Sequence, residues 1–424
     1  MYRKKVEKIG LLIMACLLIG VFFLSNTSGA ANKNYDSKIP SVKNKITVSA
    51  ENFSALNGCE LYSSKDSFSY ENGVLHVTSN DSFKIIADVP SEGEYHLFVD
   101  YYFPNETMQN FLLSIDANGE EVNPKAVLQS LWKDKTNKYR TDEYGNDVVP
   151  GSVRVYEWQT QALSDIKTNM PDIYKMKQGE NEIEISILQG EALIGDIMLV
   201  STSEIPSYEM YMQEYPSTYI DAYTGETLEG EHFTYKSKAE IRGRRSRNSD
   251  LEPYDASRLT ISTLSGETWS TPGDFVVYEF DVQESGLYFI SFKYLLDNTG
   301  DFPVYKNIYL DEEILFNELQ NYIFPQSGSK YANHTISANG NESLFYLEKG
   351  SHSIKIESTA ALFKNVYSEI ANIVAEMDAL ALDIKIIRGN QTDAMRDWDI
   401  ESFIPDIEER VKDLIRRLEN ANKL

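Results

Sequence analysis

Residues 89–102, VPSEGEYHLFVDYY, and residues 282–294, VQESGLYFISFKY, decide the fold. Each ends one strand at a valine, turns at a glycine (Gly93, Gly286) and opens a second strand rich in aromatic and branched side chains. Such short β-forming runs bounded by turn residues mark an all-β region. The likeness extends outward in both directions. Met176-Lys-Gln-Gly-Glu-Asn-Glu-Ile-Glu-Ile-Ser186 parallels Leu347-Glu-Lys-Gly-Ser-His-Ser-Ile-Lys-Ile-Glu357, and Ser49-Ala-Glu-Asn-Phe53 parallels Glu229-Gly-Glu-His-Phe233. Three matched blocks in one order predict two copies of one β-sandwich, over 46–203 and 226–359. Residues 204–225 between them read as a short ordered linker, and 31–45 as a polar linker.

Beyond the second copy the period changes. Phe363, Val366, Ile370, Ile373, Met377, Leu380, Ile384 and Ile387 recur at alternating spacings of three and four, the pattern of a helix with a narrow apolar seam. Gly389 ends it, and Pro405 starts a second helix with Ile404, Ile407, Val411, Leu414 and Leu418 on one face. The expectation for 360–424 is an antiparallel helical hairpin. Its first seam is longer than its second, so part of the first helix needs cover from elsewhere.

At the other end, Arg3, Lys4, Lys5 and Lys8 precede an apolar run from Ile9 to Leu24, and small residues follow at Ser28-Gly29-Ala30. This reads as an export signal over 1–30 cleaved after Ala30. The alternatives are an uncleaved anchor, since the run falls short of the roughly 20 residues that span a bilayer, and a lipid-modified Cys16. With the signal removed, only Cys59 remains, so no disulfide forms within the mature chain and its stability must come from packed cores. The chain carries 40 basic and 65 acidic side chains, net −25. That charge opposes nucleic acid as a partner and leaves neutral glycans and cations open. Tyrosines number 27 and histidines five, which favours stacking faces over proton shuttles. No metalloprotease, nucleophile-elbow, phosphate-loop or paired-cysteine motif occurs, and the histidines are scattered, so the chain is not expected to be an enzyme and requires no cofactor.

Gly273-Asp-Phe-Val-Val-Tyr-Glu-Phe-Asp-Val-Gln-Glu-Ser-Gly-Leu-Tyr288 resembles the signature of jelly-roll carbohydrate-binding modules, and Glu229-Gly-Glu231 resembles their opening strand. The resemblance implies a mainly β fold of two galactose-binding-like jelly-roll sandwiches followed by the helical hairpin. It also implies a structural calcium held by Glu229 and Glu231 in the second copy, and by Glu51 and Asp196 in the first, where Ser49 stands in place of the other glutamate. Leu131-Trp-Lys-Asp, Tyr144-Gly-Asn-Asp147, Glu157-Trp-Gln, Tyr254-Asp-Ala-Ser-Arg258, Tyr305-Lys-Asn-Ile-Tyr-Leu-Asp311 and Ile386-Ile-Arg-Gly-Asn390 are similar to segments of the N-terminal region of large extracellular solute-binding proteins of sugar ABC transporters. That likeness implies sugar handling at the cell surface, with an oligo- or polysaccharide as ligand. A transporter component or a solute-binding domain is the implied partner. A structural module that docks such a domain is the second reading.

A sugar-binding sandwich needs flat aromatic faces for the C–H side of a pyranose and polar groups for its hydroxyls. In the first copy Trp132, Tyr139, Tyr144 and Trp158 fall in a long insertion from about Leu131 to Pro171. The competing reading makes Trp132 and Trp158 plugs at the end of the sandwich. In the second copy the candidates are Tyr254, Trp269, Asn298 and Tyr305, with Trp269 equally placed to cap the sheet beside Phe275. Arg242, Arg244, Arg245 and Arg247 either recognise anionic polymers or form a solvated loop balanced by nearby acids.

Overall fold

The computed structural model describes residues 45–62, 70, 72–105, 110–166, 169–202, 205–215, 225–297, 303–389, 395 and 398–421. The expected export segment lies outside them, as does Asn298.

Residues 45–201 form two facing antiparallel sheets. The front sheet runs β13 (Gln159–Ala162), β6 (Gly93–Tyr102), β17 (Glu191–Ser201), β4 (Val74–Thr78), β3 (Glu60–Tyr62). Beside β17 lies β1 (Lys45–Val48), and beside β6 lies β15 (Tyr174–Met176). The back sheet runs β14 (Ser164–Asp165), β8 (Glu120–Leu128), β7 (Phe111–Ala117), β16 (Gly179–Gln189), β5 (Ser82–Val89), β2 (Ser54–Asn57). The period-two pattern explains which faces meet: Phe83, Ile85, Ala87 and Val89 of β5 and Ile183, Ile185 and Ile187 of β16 are buried against Tyr95, Leu97, Val99 and Tyr101 of β6. β17 is buried on both faces from Ala192 to Val200 because it is central and its outer side is also covered.

The second sandwich has a back sheet of β25 (Tyr322–Ile323), β24 (Tyr305–Leu310), β30 (Gly350–Ser358), β21 (Phe275–Val282) and β18 (Tyr235–Lys236). Two strands from the insertion of the first sandwich, β9 (Trp132–Asp134) and β12 (Ser152–Arg154), continue this sheet past β18. The remaining pairs are short: β10 (Arg140–Thr141) with β11 (Asp147–Val148), β19 (Gly243–Ser246) with β20 (Thr260–Leu264), β22 (Gly286–Phe289) with β29 (Leu344–Leu347), β23 (Ser291–Tyr294) with β26 (Ala332–Thr335), and β27 (Ser337–Ala338) with β28 (Asn341–Glu342).

The insertion thus differs from the open ligand loop expected of it. It is an arm strapped across the second sandwich, because its polar groups are spent on that neighbour. Asp147 N–H donates to Leu259 O (2.9 Å), and Asp147 Oδ2 accepts from Ile261 N–H (2.9 Å). Asn146 Oδ1 accepts from Leu259 N–H (2.8 Å), and Ser152 Oγ donates to Ala239 O (2.7 Å). Lys236, wholly buried, places its ammonium 2.5 Å from Asp134 and donates to Ile241 O.

Short helix α1 (Tyr208–Gln213) begins at Ser207, whose Oγ accepts from Met210 N–H (3.3 Å). At the C-terminal end stand α2 (Lys364–Arg388), α3 (Ile400–Phe403) and α4 (Ile407–Ala421). Arg417 pairs with Glu369, and Arg410 with Asp383, so α2 and α4 run antiparallel. Their shared core is Ile373, Leu380, Ile384 and Ile387 against Ile400, Ile404, Ile407 and Leu414. Of the expected seam, Phe363, Ile370 and Met377 remain exposed, because α4 has 15 residues against the 25 of α2 and covers only one side. Among the described residues no helix is long and apolar enough to cross a membrane.

Candidate functional site

Register places one row of outward residues across the front sheet of the first sandwich. Glu60 lies opposite His76, His76 opposite Leu193, and Leu193 opposite Tyr102, while Trp158 immediately precedes β13 at the far side of β6. Leu193 is buried in the middle of the row, together with Tyr70 and Val74, and the half-buried rings of Tyr62, Tyr102 and Trp158 pack over it.

Tyr70 supports this surface from below. Its ring centroid lies 4.4 Å from that of Trp158, and Tyr102 lies 5.9 Å from the same indole. The Tyr70 hydroxyl donates to Asp100 Oδ2 (2.6 Å) and accepts from Asp196 N–H (2.8 Å), which pins the ring against β17. Burial, reinforced by the Asp100 carboxylate, holds that hydroxyl far above the usual tyrosine range. The ring passes so close to the backbone that a Cβ at Gly195 would meet it at 2.4 Å, so only glycine fits there.

A polar rim borders the rings. His76 Nε2 lies 2.9 Å from Glu191 Oε1, and Asn105 Nδ2 donates to Glu191 Oε2 (2.5 Å). Tyr62 donates to Glu60 Oε2 (2.8 Å). Aromatic faces beside a carboxylate, an imidazole and an amide match what a pyranose presents, C–H bonds on its faces and hydroxyls at its edge.

The sequence candidates divide. Trp158 belongs to this surface. Trp132 sits half-buried in β9, opposite Lys236 of the neighbouring sandwich. Tyr139 packs at a tilt against His232, ring centroids 5.7 Å apart, with burial raising its hydroxyl pKa. Tyr144 is 78% exposed at the tip of a turn shaped by Asp142, whose Oδ1 accepts from Tyr144 N–H. Tyr254 is exposed beside the cis Glu252–Pro253 bond. Trp269 is committed to packing: its indole N–H donates to Asp274 O (3.0 Å) and the Lys306 ammonium lies 3.7 Å from its ring centroid. Tyr305 packs on Phe363 at the junction with the helices. These residues do not converge on one site. Arg244 and Arg245 lie on strand β19 rather than in a loop, exposed and 3.7 Å from Glu267 and 3.9 Å from Asp142 respectively.

The four calcium candidates do not assemble a cage. Glu51 is exposed, and Asp196 is held by Asn72 Nδ2 (3.1 Å). Glu231 is 2% exposed with neither carboxylate oxygen hydrogen-bonded, and burial, with Glu229 adding to it, raises its pKa to about 7. A calcium site needs about six oxygen ligands. Among the described residues no group of three or more His, Cys, Asp or Glu side chains could hold a metal. These four carboxylates alone therefore do not complete such a shell.

Tyr62, Tyr102, His76 and Glu191 lie on strands β3, β6, β4 and β17, not in the loops where the sequence places its candidates. Their signal was present: polar or aromatic side chains at the outward positions of strands whose inward positions are Leu75, Val77 and Tyr101.

Single-sandwich likenesses to solved structures are numerous. The GH26-CBM35 β-(1,4)-mannanase of Podospora anserina shares 12% identity at a TM-score of 0.24, with 42% of this chain and 36% of that chain covered. The chain thus spans about a third of that protein. The family 35 carbohydrate-binding module of Clostridium thermocellum shares 16% identity at a TM-score of 0.25, with 37% and 98% covered. The C-terminal CBM6 of the laminarinase LamC of Zobellia galactanivorans shares 15% at 0.22, with 37% and 100% covered. No curated protein matches the chain. Residues 365–424 match the family model of the bacterial solute-binding protein 4-helix bundle domain.

Proposed function

We propose that this chain is an extracellular, non-catalytic carbohydrate-binding protein, and that the outer face of its first sandwich is the sugar platform. The observation that carries the reading is the row of Tyr62, Tyr102 and Trp158 with the Glu191–His76–Asn105 rim. Trp158 would stack on a sugar ring while Glu191 accepts from its hydroxyls. The family match of 365–424 supports an association with solute capture for ABC-type sugar uptake. The export signal read over 1–30 supports a surface location.

Affinity electrophoresis against a panel of neutral polysaccharides tests it. Burying one aromatic face is worth about 1.5–3 kcal/mol. Trp158→Ala is therefore expected to weaken retardation by roughly 10- to 100-fold, since 1.4 kcal/mol is a factor of ten. Retardation unchanged in Trp158→Ala, or none across the panel, would exclude this face.

The second reading is a docking module. Ile370, Val374, Met377 and Ile386 of α2 and Val411, Ile415 and Leu418 of α4 are exposed apolar side chains on a two-helix hairpin. They are the faces on which further helices would pack.

A further inference from the structure

Among the described residues the second sandwich is one strand short of the first. In the first, β17 lies between β4 and β6, pairs with both, and also pairs with β1. The sequence match aligns β6 with β22 and β23, and one detail anchors it: Tyr95 donates to Ser91 O (3.0 Å) and Tyr288 to Glu284 O (2.5 Å), each four residues back. β21 and β30 pair as β5 and β16 do. After β30, however, the chain enters α2, and among the described residues no strand takes the place of β17.

Three consequences are visible. First, β20 and β22–β23 belong to no common sheet among the described residues, whereas β4 and β6 are joined through β17. Second, Tyr95, Leu97, Val99 and Tyr101 are at most 2% exposed, while the matching Tyr288, Ile290, Phe292 and Tyr294 are all partly exposed. Third, residues 225–228, in the position of β1, form no strand, and Leu228 is 39% exposed where Val48 is 8%.

The open edge has backbone groups aimed into the gap. Leu344 and Tyr346 of β29 turn their N–H groups away from β22, to the hydroxyls of Tyr208 and Tyr211. In an antiparallel pair the residues opposite them, Phe289 and Leu287, must turn theirs away from β29 as well. Along the start of β20 the corresponding edge is capped by Asn146 and Asp147 of the arm, so the free part of the slot follows β22 and β23.

We propose that this slot is a docking site for one extended strand of a partner polypeptide, running antiparallel to β22–β23. The occupant's chemistry is set by what fills the same place in the first sandwich: β17, buried from Ala192 to Val200 on both faces. An outward Phe289 at 47% and Leu295 at 41% exposure extend the apolar demand to the outer face. Strand addition is already used by this molecule, since β9 of the arm extends the back sheet at β18. An unsatisfied edge over a half-covered core is costly, and a strand supplies hydrogen bonds and apolar cover together. This inference is independent of the sugar platform, which lies on the other sandwich.

The test uses hydrogen exchange on the full chain, with a synthetic peptide of the sequence 191–201, EALIGDIMLVS, as the probe and its Ile197→Pro form as the control. In the chain alone, segment 286–294 is expected to exchange at least about tenfold faster than segment 93–102. The peptide is expected to slow 286–294 without changing 93–102, and the proline form to leave both unchanged. Protection of 286–294 in the chain alone at every concentration would overturn the proposal, because the slot would already be closed. Protection that rises with concentration, with dimers in sedimentation, would assign the slot to a second copy instead. Fast exchange untouched by the peptide would show that an apolar strand is not its occupant.

Discussion

Gly195 and Lys306 show how much rests on single positions. The Tyr70 ring lies where a Gly195 side chain would be, so Gly195→Ala is expected to cost about 1–3 kcal/mol by overpacking. Because Tyr70 underlies Trp158, the same substitution should weaken sugar retardation; urea denaturation and affinity electrophoresis read the two effects separately. Lys306 is buried between Trp269 and Ser358 Oγ (2.6 Å), and burial pushes its ammonium down to about 8 against the pull of Asp274 and Glu357. A base whose folded pKa lies below its unfolded value of 10.5 costs stability at neutral pH, here about 3 kcal/mol, and the cost fades as pH climbs from 8 towards 10.5. Lys306→Met is therefore expected to raise the melting temperature at pH 7 and to lose most of that advantage by pH 10, as thermal unfolding at the two values would show. Neither position was legible in the sequence. A glycine forced by a ring far away in the chain, or a lysine under a tryptophan, is set by tertiary contact and leaves no local pattern.

At the scale of elements, alternation and turn residues were enough to place the strands, because a sheet with one buried face imposes period two on its sequence. The arm is not legible in this way, for a related reason. Its strands are short and its pairing partner lies about a hundred positions later, so nothing local distinguishes a strap from a ligand loop. Its one buried ion pair among those described is Lys236–Asp134, where burial pushes the carboxyl up and the ammonium down, each against its partner's pull. Asp134→Ala leaves a fully buried ammonium without its counter-charge and is expected to cost about 3–5 kcal/mol. The double variant Asp134→Ala, Lys236→Met should recover most of this loss. In urea, the single variant should also separate the unfolding of the two sandwiches into two transitions, whereas one unchanged transition would mean the arm does not couple them.

Over the whole molecule the apolar surface is distributed unevenly, and the helices carry the most telling share. α2 buries Ile373 and Leu380 against α4 but leaves Ile370, Val374 and Met377 exposed on another side, where a groove of about 420 Å³ lined by Tyr367, Ile370, Val374 and Asp378 opens. The sequence announced the imbalance through seams of unequal length, though not which residues of the longer seam would stay uncovered, because that depends on where the shorter helix ends. Arg417 holds the hairpin together from its polar edge through Glu369 (2.6 Å) and Glu376 (2.7 Å), so the exposed face is not needed to keep α4 in place. An amphipathic face of this kind on a net charge of −25 should bind an apolar dye and offer a surface for association. Val374→Glu with Met377→Glu is expected to lower dye fluorescence and any concentration-dependent association while shifting the melting temperature by no more than a degree or two, since surface changes usually stay within about 0.5 kcal/mol. A large fall in melting temperature would instead mean that these side chains are part of the hairpin's own core, and the docking reading of the helices would lose its basis.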